Sequence, residues 1–145
     1  IDRNGNVNVS KFGSRIAGCG GFINISQNAK KVVFCGTLTS AGLRTKISQG
    51  KIEIVQEGKF KKFVNAVDQV TFSGKNALSD QREVLVVTER AVFRLTDRGL
   101  QLIEIAPGIE LQREVLDVID FEVEVATDLK TMDTMIFLDD LMGLS

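Results

Sequence analysis

Four consecutive apolar residues, Val32-Val33-Phe34-Cys35, stand between Lys30-Lys31 and Gly36. A short continuous run of this kind predicts a strand covered on both faces, as in an open α/β sheet. No apolar stretch approaches the roughly 20 residues that a membrane-spanning helix needs. At 145 residues, 43% apolar and 26% charged, the chain suits one core rather than two. Its single Pro and ample apolar content argue against disorder.

Strands and turns dominate the rest of the chain. Asp2-Arg3-Asn4-Gly5-Asn6 reads as a turn, with Asn-Gly suited to a tight hairpin, and Val7 and Val9 alternate with polar neighbours as in a half-buried strand. The first residue is Ile1, not Met, and a domain seldom begins on a turn, so a piece of a longer polypeptide is expected. Phe22, Ile23 and Ile25 form an apolar step, and Ser26 to Ala29 a polar or helical turn. Arg44 to Ser48, Lys51 to Gln56 and Lys59 to Val64, separated by Gln49-Gly50 and Glu57-Gly58, predict a meander. A helix competes for the last piece, since Phe60, Phe63, Val64 and Val67 share helical spacing. Val84 to Thr88, Ala91 to Leu95 and Leu100 to Ile105 predict three strands, the last two joined by Asp97-Arg98-Gly99 and the third closed by Pro107-Gly108. Glu110 to Ile119 predicts a helix, a polar extended link carries Val123 and Val125, and Met132 to Leu144 predicts a last short helix.

The most decisive count for chemistry is the absence of histidine. It excludes Ser-His-Asp and Cys-His catalysis and every His-ligated metal site. Cys19 and Cys35 lack the paired spacing of a zinc site, and the plain reading is two buried, reduced thiols in a cytoplasmic protein. Gly18-Cys19-Gly20-Gly21 is the most informative local feature. Three glycines in four positions make either a tight structural turn or a set of exposed N–H groups able to hold an anion or an oxyanion. Cys19 in that loop has neither a histidine base nor an adjacent lysine, so it reads as a bystander. Residues 1–62 hold 11 Lys/Arg and 3 Asp/Glu, and residues 63–145 hold 7 and 16. The two ends either face each other or offer a basic front to an anionic ligand. Lys30-Lys31, and likewise Lys59, Lys61 and Lys62, are solvated charges or phosphate contacts, whereas no aromatic interleaving points to nucleic acid. Glu89 and Glu104 are either paired surface charges or site carboxylates.

Two stretches carry a resemblance. Gly-Cys-Gly-Gly-Phe-Ile-Asn-Ile-Ser-Gln-Asn-Ala-Lys-Lys-Val-Val-Phe-Cys-Gly-Thr, residues 18–37, resembles the glycine loop and strand of the family I CoA-transferases. Thr-Glu-Arg-Ala-Val-Phe, residues 88–93, and Leu-Ile-Glu-Ile-Ala-Pro-Gly-Ile, residues 102–109, resemble that family's late hairpin. Asp2-Arg3-Asn4-Gly5-Asn6-Val7 and Ile54-Val55-Gln56-Glu57-Gly58-Lys59 are similar to the single-chain acetate/propionate group of the family.

The resemblance implies an α/β fold, an open sheet of CoA-transferase type with a β-meander or hairpin portion. Residues 1–145 would be the C-terminal portion of the second, beta-like domain. It implies transfer of CoA between an acyl-CoA and a free short-chain carboxylic acid, the CoA thioester being a substrate, with no cofactor and no metal. In the family a glutamate attacks the thioester, giving an acyl-glutamyl anhydride and then a glutamyl-CoA thioester. No Glu of this chain matches that nucleophile, which is expected upstream of Ile1, so the chain carries no catalytic residue and is inactive alone. Gly20 and Gly21 match the loop that helps hold the thioester oxyanion through a backbone amide, with Gly18 shaping the turn. The implied partners are acyl-CoA, a short-chain carboxylate, the remainder of the same polypeptide and further copies in an oligomer, without nucleic acid or membrane. The rival is a stand-alone α/β binding or interaction domain with no chemistry. A reading frame continuing upstream through a Glu-x-Gly motif would favour the first, and a start codon at this boundary the second.

Overall fold

The computed structural model describes residues 1–140. Its opening residues form the expected turn. Asp2 Oδ1 accepts from the amides of Asn4 and Asn6, both at 3.0 Å, and Gly5 takes the positive φ of 71° that the turn requires. A small hairpin follows, β1 (Lys11–Phe12) and β2 (Arg15–Ile16). Next come α1 (Phe22–Asn28), β3 (Lys31–Cys35) and β4 (Thr39–Ser40). The second hairpin is β5 (Arg44–Ser48) with β6 (Lys51–Gln56), and β7 (Phe60–Lys61) lies beyond it. Then follow α2 (Gly74–Ser79), β8 (Glu83–Val87), β9 (Ala91–Thr96), β10 (Gly99–Ile105), α3 (Leu111–Glu114) and β11 (Glu124–Thr131). Short 3-10 turns occupy Leu116–Val118 and Thr134–Phe137.

Five strands make one open mixed sheet in the order β11-β10-β9-β8-β3. The outer pairs, β3 with β8 and β10 with β11, are parallel, and the two inner pairs are antiparallel. Along β8 the alternation buries Val84 and Val86, and from β9 and β10 Phe93, Leu95, Leu100 and Leu102 join them on the same core. Phe72 and Phe63 fill the space above this face. Phe72 meets Phe34 edge-on at 5.0 Å, and Phe63 meets Phe93 at 4.8 Å.

Several expected elements take a different form. β3 lies at the edge of the sheet rather than covered on both faces: Val32 is buried, but Val33 is 46% exposed and Cys35 is also exposed. An edge strand has a neighbour on one side only, so its apolar run does not have to be buried throughout. The thiols are therefore not both buried; Cys35 is exposed, Cys19 is half-buried, and both are free. The segment around Val7 and Val9 contributes one antiparallel bridge, Val7 to Phe72, rather than a strand. The β5–β6 hairpin forms as expected, but the third meander strand shrinks to β7, which pairs with β4 and not with β6. The helical alternative for that segment does not form.

The Phe22 to Ala29 region condenses into the helix α1. The expected Glu110 to Ile119 helix breaks after one turn, because Val115, fully buried, adopts φ −124° and ψ −63° and sends the chain into a 3-10 turn. The link through Val123 and Val125 becomes β11, parallel to β10. The expected last helix is a 3-10 turn, and its end, from residue 141, lies outside the described residues.

Candidate functional site

The carboxyl ends of the parallel strands β3 and β8 open on a groove of about 820 Å³. This is the end of an open α/β sheet where ligands bind. Its walls are mainly apolar, with Phe22, Phe34, Phe60 and Val64 among them; Thr37 and Lys62 are polar residues of its rim, and the buried Thr88 also lines it. Phe22 begins α1, so the glycine loop adjoins the groove at one end, although Gly18, Gly20 and Gly21 do not line it.

In that loop Gly20 has φ +51°, a backbone state that L side chains avoid, and Gly21 stands at the helix N-cap with an ordinary φ of −81°. All three glycines are exposed, and a side-chain carbon placed at Gly18 or Gly20 would meet nothing within 4 Å. Openness, not crowding, distinguishes the loop. The Cys19 carbonyl accepts from Phe22 N and the Gly21 carbonyl from Ile25 N, each at 3.0 Å. The amides of Gly20 and Gly21 donate to no acceptor among the described residues. Arg82, at the entrance to β8, holds the far end of α1 by donating to the carbonyls of Ser26 (3.0 Å) and Gln27 (2.9 Å). Its guanidinium also lies 5.8 Å from the Phe72 ring centroid.

Behind the groove sits an ionic clamp. The Arg90 side chain is fully buried. Its guanidinium donates to Glu57 twice, at 2.7 and 3.0 Å, to Glu89 at 2.6 Å and to the Glu114 carbonyl at 2.9 Å. Glu89 in turn accepts from the Leu38 amide at 2.9 Å, while Glu57 accepts from the Thr39 hydroxyl and from the Gly58 amide at 3.0 Å. Two carboxylates and one guanidinium thus tie residues 37–40, which carry part of the groove rim, to the β8–β9 turn. Burial alone would raise the Glu57 pKa, but hydrogen bonds from Arg90, Thr39 and Gly58, with the Arg90 charge, outweigh it and hold the carboxyl below its ordinary value. For Arg90, burial opposes the charged form, yet bonds to Glu57 and Glu89 raise its pKa.

The candidate charges sort accordingly. Glu89 is a clamp residue, and Glu104 is a half-buried β10 residue opposite Lys130 in register. Lys31 pairs with Glu83 at 3.0 Å, and Lys61 with Asp120 at 2.9 Å. The basic first part and the acidic remainder therefore do face each other at these points. Lys62 differs, since its ammonium donates to the Thr37 hydroxyl at 2.8 Å on the groove rim. The clamp is the feature that sequence reasoning missed. Glu89-Arg90 adjacency was visible, but nothing local links them to Glu57, which lies 33 residues before Arg90.

No family model matches the chain. The chain is 52% identical to the acetate CoA-transferase YdiF of Escherichia coli K12 over 143 residues, 99% of the chain but 27% of that protein. It is 48% identical to the caffeate CoA-transferase of Acetobacterium woodii, over 98% of the chain and 29% of that protein. It thus spans a little over a quarter of the length of these curated relatives. The crystal structure of the acyl-CoA transferase YdiF apoenzyme from Escherichia coli O157:H7 superposes on the whole chain, and on 28% of its own, with a TM-score of 0.98 at 51% identity. The thioester complex of that enzyme with CoA superposes with a TM-score of 0.97. Glutaconate coenzyme A-transferase from Acidaminococcus fermentans, at 18% identity and a TM-score of 0.65 over 92% of the chain and half of its own, shares the fold. Along nearly its whole length the chain is similar in sequence and in fold to one segment of these acetate and caffeate CoA-transferases.

Proposed function

We propose that this chain is a segment of a CoA-transferase that moves CoA between a short-chain acyl-CoA and a free carboxylic acid. The observation that supports this most directly is the match along the whole chain, at 51% identity and a TM-score of 0.97, to an enzyme captured as a thioester complex with CoA. The nucleophilic glutamate belongs to the part of the polypeptide that precedes these residues. Its carboxylate attacks the acyl-CoA to give an acyl-glutamyl anhydride and free CoA thiolate. The thiolate then attacks the glutamyl carbonyl, releasing the first acid and leaving glutamyl-CoA. The second acid reverses these steps.

In this scheme Gly20 and Gly21 present backbone amides to the thioester oxyanion, and the positive φ of Gly20 shapes the turn. The open amides described above suit that task. The clamp at Arg90 keeps the rim of the groove in place. CoA is a substrate, so no separate cofactor is required. The working enzyme contains the remainder of the same polypeptide, associates with further copies of itself, and acts in the cytoplasm.

The test is transfer from propionyl-CoA to acetate, followed as acetyl-CoA formation by chromatography. The full-length polypeptide is expected to support turnover and the isolated 145-residue chain to support none. Sustained turnover by the isolated chain, or none by the full-length protein, contradicts the proposal.

A further inference from the structure

We propose that Lys62 is the residue that binds the carboxylate of the free acid in the groove; this deepens the CoA-transferase reading and rests on it. The groove is an apolar trough with few charges on its surface. Asp68 is its one carboxylate among the described residues, and Asp68 accepts from the Gly13 amide at 3.0 Å, tying down the β1–β2 turn. Two lysines line the groove. Lys61 is neutralised by Asp120 at 2.9 Å. Lys62 has no charged or carbonyl acceptor for its side chain; no carboxylate among the described residues comes within salt-bridge distance of it.

The Lys62 ammonium is nonetheless held. The Thr37 hydroxyl gives its proton to the Thr39 carbonyl at 2.5 Å, which leaves its lone pairs to accept from Lys62 at 2.8 Å. Thr39 is itself fixed by Glu57, and Leu38 by Glu89, so the clamp holds the residue that orients the lysine. One of the three ammonium donors is used by Thr37, and two remain for a ligand. A single cation on the rim of an apolar trough is complementary to a monocarboxylate with an apolar body. Neutral molecules gain nothing from the charge, and a dianion would leave one charge against apolar walls.

The test uses the full-length protein with propionate as the probe and propionamide as its uncharged counterpart. Lys62→Met removes the charge and keeps the apolar stem, Lys62→Arg restores a cation, and Lys46→Met, on the exposed face of β5, is the control. Lys62→Met is expected to raise the KM for propionate at least about tenfold, as befits a hydrogen bond to a charged group, with the KM for acyl-CoA within about twofold of the parent. Lys62→Arg should recover most of the loss, and Lys46→Met should change nothing. Ligand-observed NMR reads propionate binding without turnover, and Lys62→Met should abolish it while leaving the weak propionamide signal unchanged. A protein that binds propionate through Lys62 but transfers no CoA would uphold this assignment and overturn the CoA-transferase reading. Active enzyme in which Lys62→Met leaves both the propionate KM and the NMR signal unaltered would overturn the assignment alone.

Discussion

Arg90 and Glu57 meet through two parallel hydrogen bonds, Nη1 to Oε2 at 2.7 Å and Nη2 to Oε1 at 3.0 Å, with the guanidinium fully enclosed. This fork geometry is one that lysine cannot reproduce. Replacing Arg90 by Met leaves Glu89 and Glu57 without their cation and should cost about 3 kcal/mol of stability. Arg90→Lys should recover less than half of that. Urea denaturation of the parent and both variants measures it, and a loss below about 1 kcal/mol for Arg90→Met would mean that the clamp contributes little.

The depressed pKa of Glu57 gives the clamp a pH signature. A carboxyl that is more acidic when folded stabilises the fold above its unfolded pKa, here near the ordinary value of 4.5, and that contribution is lost as pH falls through the folded pKa. Stability should therefore decline as pH falls below about 4.5. Glu57→Gln, which keeps the side-chain shape but not the charge, should flatten that decline and lower stability at neutral pH. Melting temperatures of both proteins between pH 3 and 7 read the effect, and parallel curves would contradict it.

Gly58 is the glycine whose replacement should cost most near the clamp. A Cβ there would stand 2.5 Å from the Ser40 carbonyl oxygen and 2.6 Å from the Thr39 hydroxyl. Backbone must shift to admit it, so Gly58→Ala should lose about 1–3 kcal/mol. Gly21→Ala, whose Cβ meets only Ile25 at 3.5 Å, should lose far less. Equal melting temperatures for the two variants would contradict this contrast.

The same room at Gly21 makes it a clean probe of the oxyanion proposal. In the full-length enzyme Gly21→Val places a side chain beside the amide while the loop has space to fold. The expected result is a drop in kcat of about 100- to 1000-fold, the range for losing one oxyanion donor, with a smaller change in the KM for acyl-CoA. Cys19→Ala should leave kcat within about twofold. A folded Gly21→Val enzyme with near-normal kcat, or an inactive Cys19→Ala enzyme, would contradict these assignments.

Legibility in the sequence followed locality. β8, β9 and β10 were read nearly residue for residue, because Val84 to Thr88, Ala91 to Leu95 and Leu100 to Ile105 are β-rich runs bounded by turn residues. β11 was missed because it is an edge strand carrying Asp128 and Lys130, and its polar residues look like a linker. The six-residue α2 is too short for helical periodicity to register, and its one local mark is Ser73, whose hydroxyl accepts from the Asn76 amide at 3.2 Å. The glycine loop was conspicuous as composition. The groove beside it was not, since it is assembled from residues as far apart as Phe22 and Thr88.

Oxygen labelling tests the covalent CoA-transfer scheme most directly. The full-length protein, in excess over propionyl-CoA, is mixed with acetate carrying 18O in both carboxylate oxygens, and the released propionate is analysed by mass spectrometry. An enzyme carboxylate that releases the first acid before the second reacts gives that propionate an oxygen from the protein. The first turnover should therefore yield unlabelled propionate. With propionyl-CoA supplied instead in large excess over the protein, each acetate leaves one 18O on the enzyme carboxylate, and over repeated turnovers label should build up in propionate. Labelled propionate in the first turnover would show direct attack of acetate on the thioester, and unlabelled propionate at every turnover, with no acetyl-CoA formed, would show hydrolysis; either result contradicts CoA transfer through an enzyme-bound acyl anhydride.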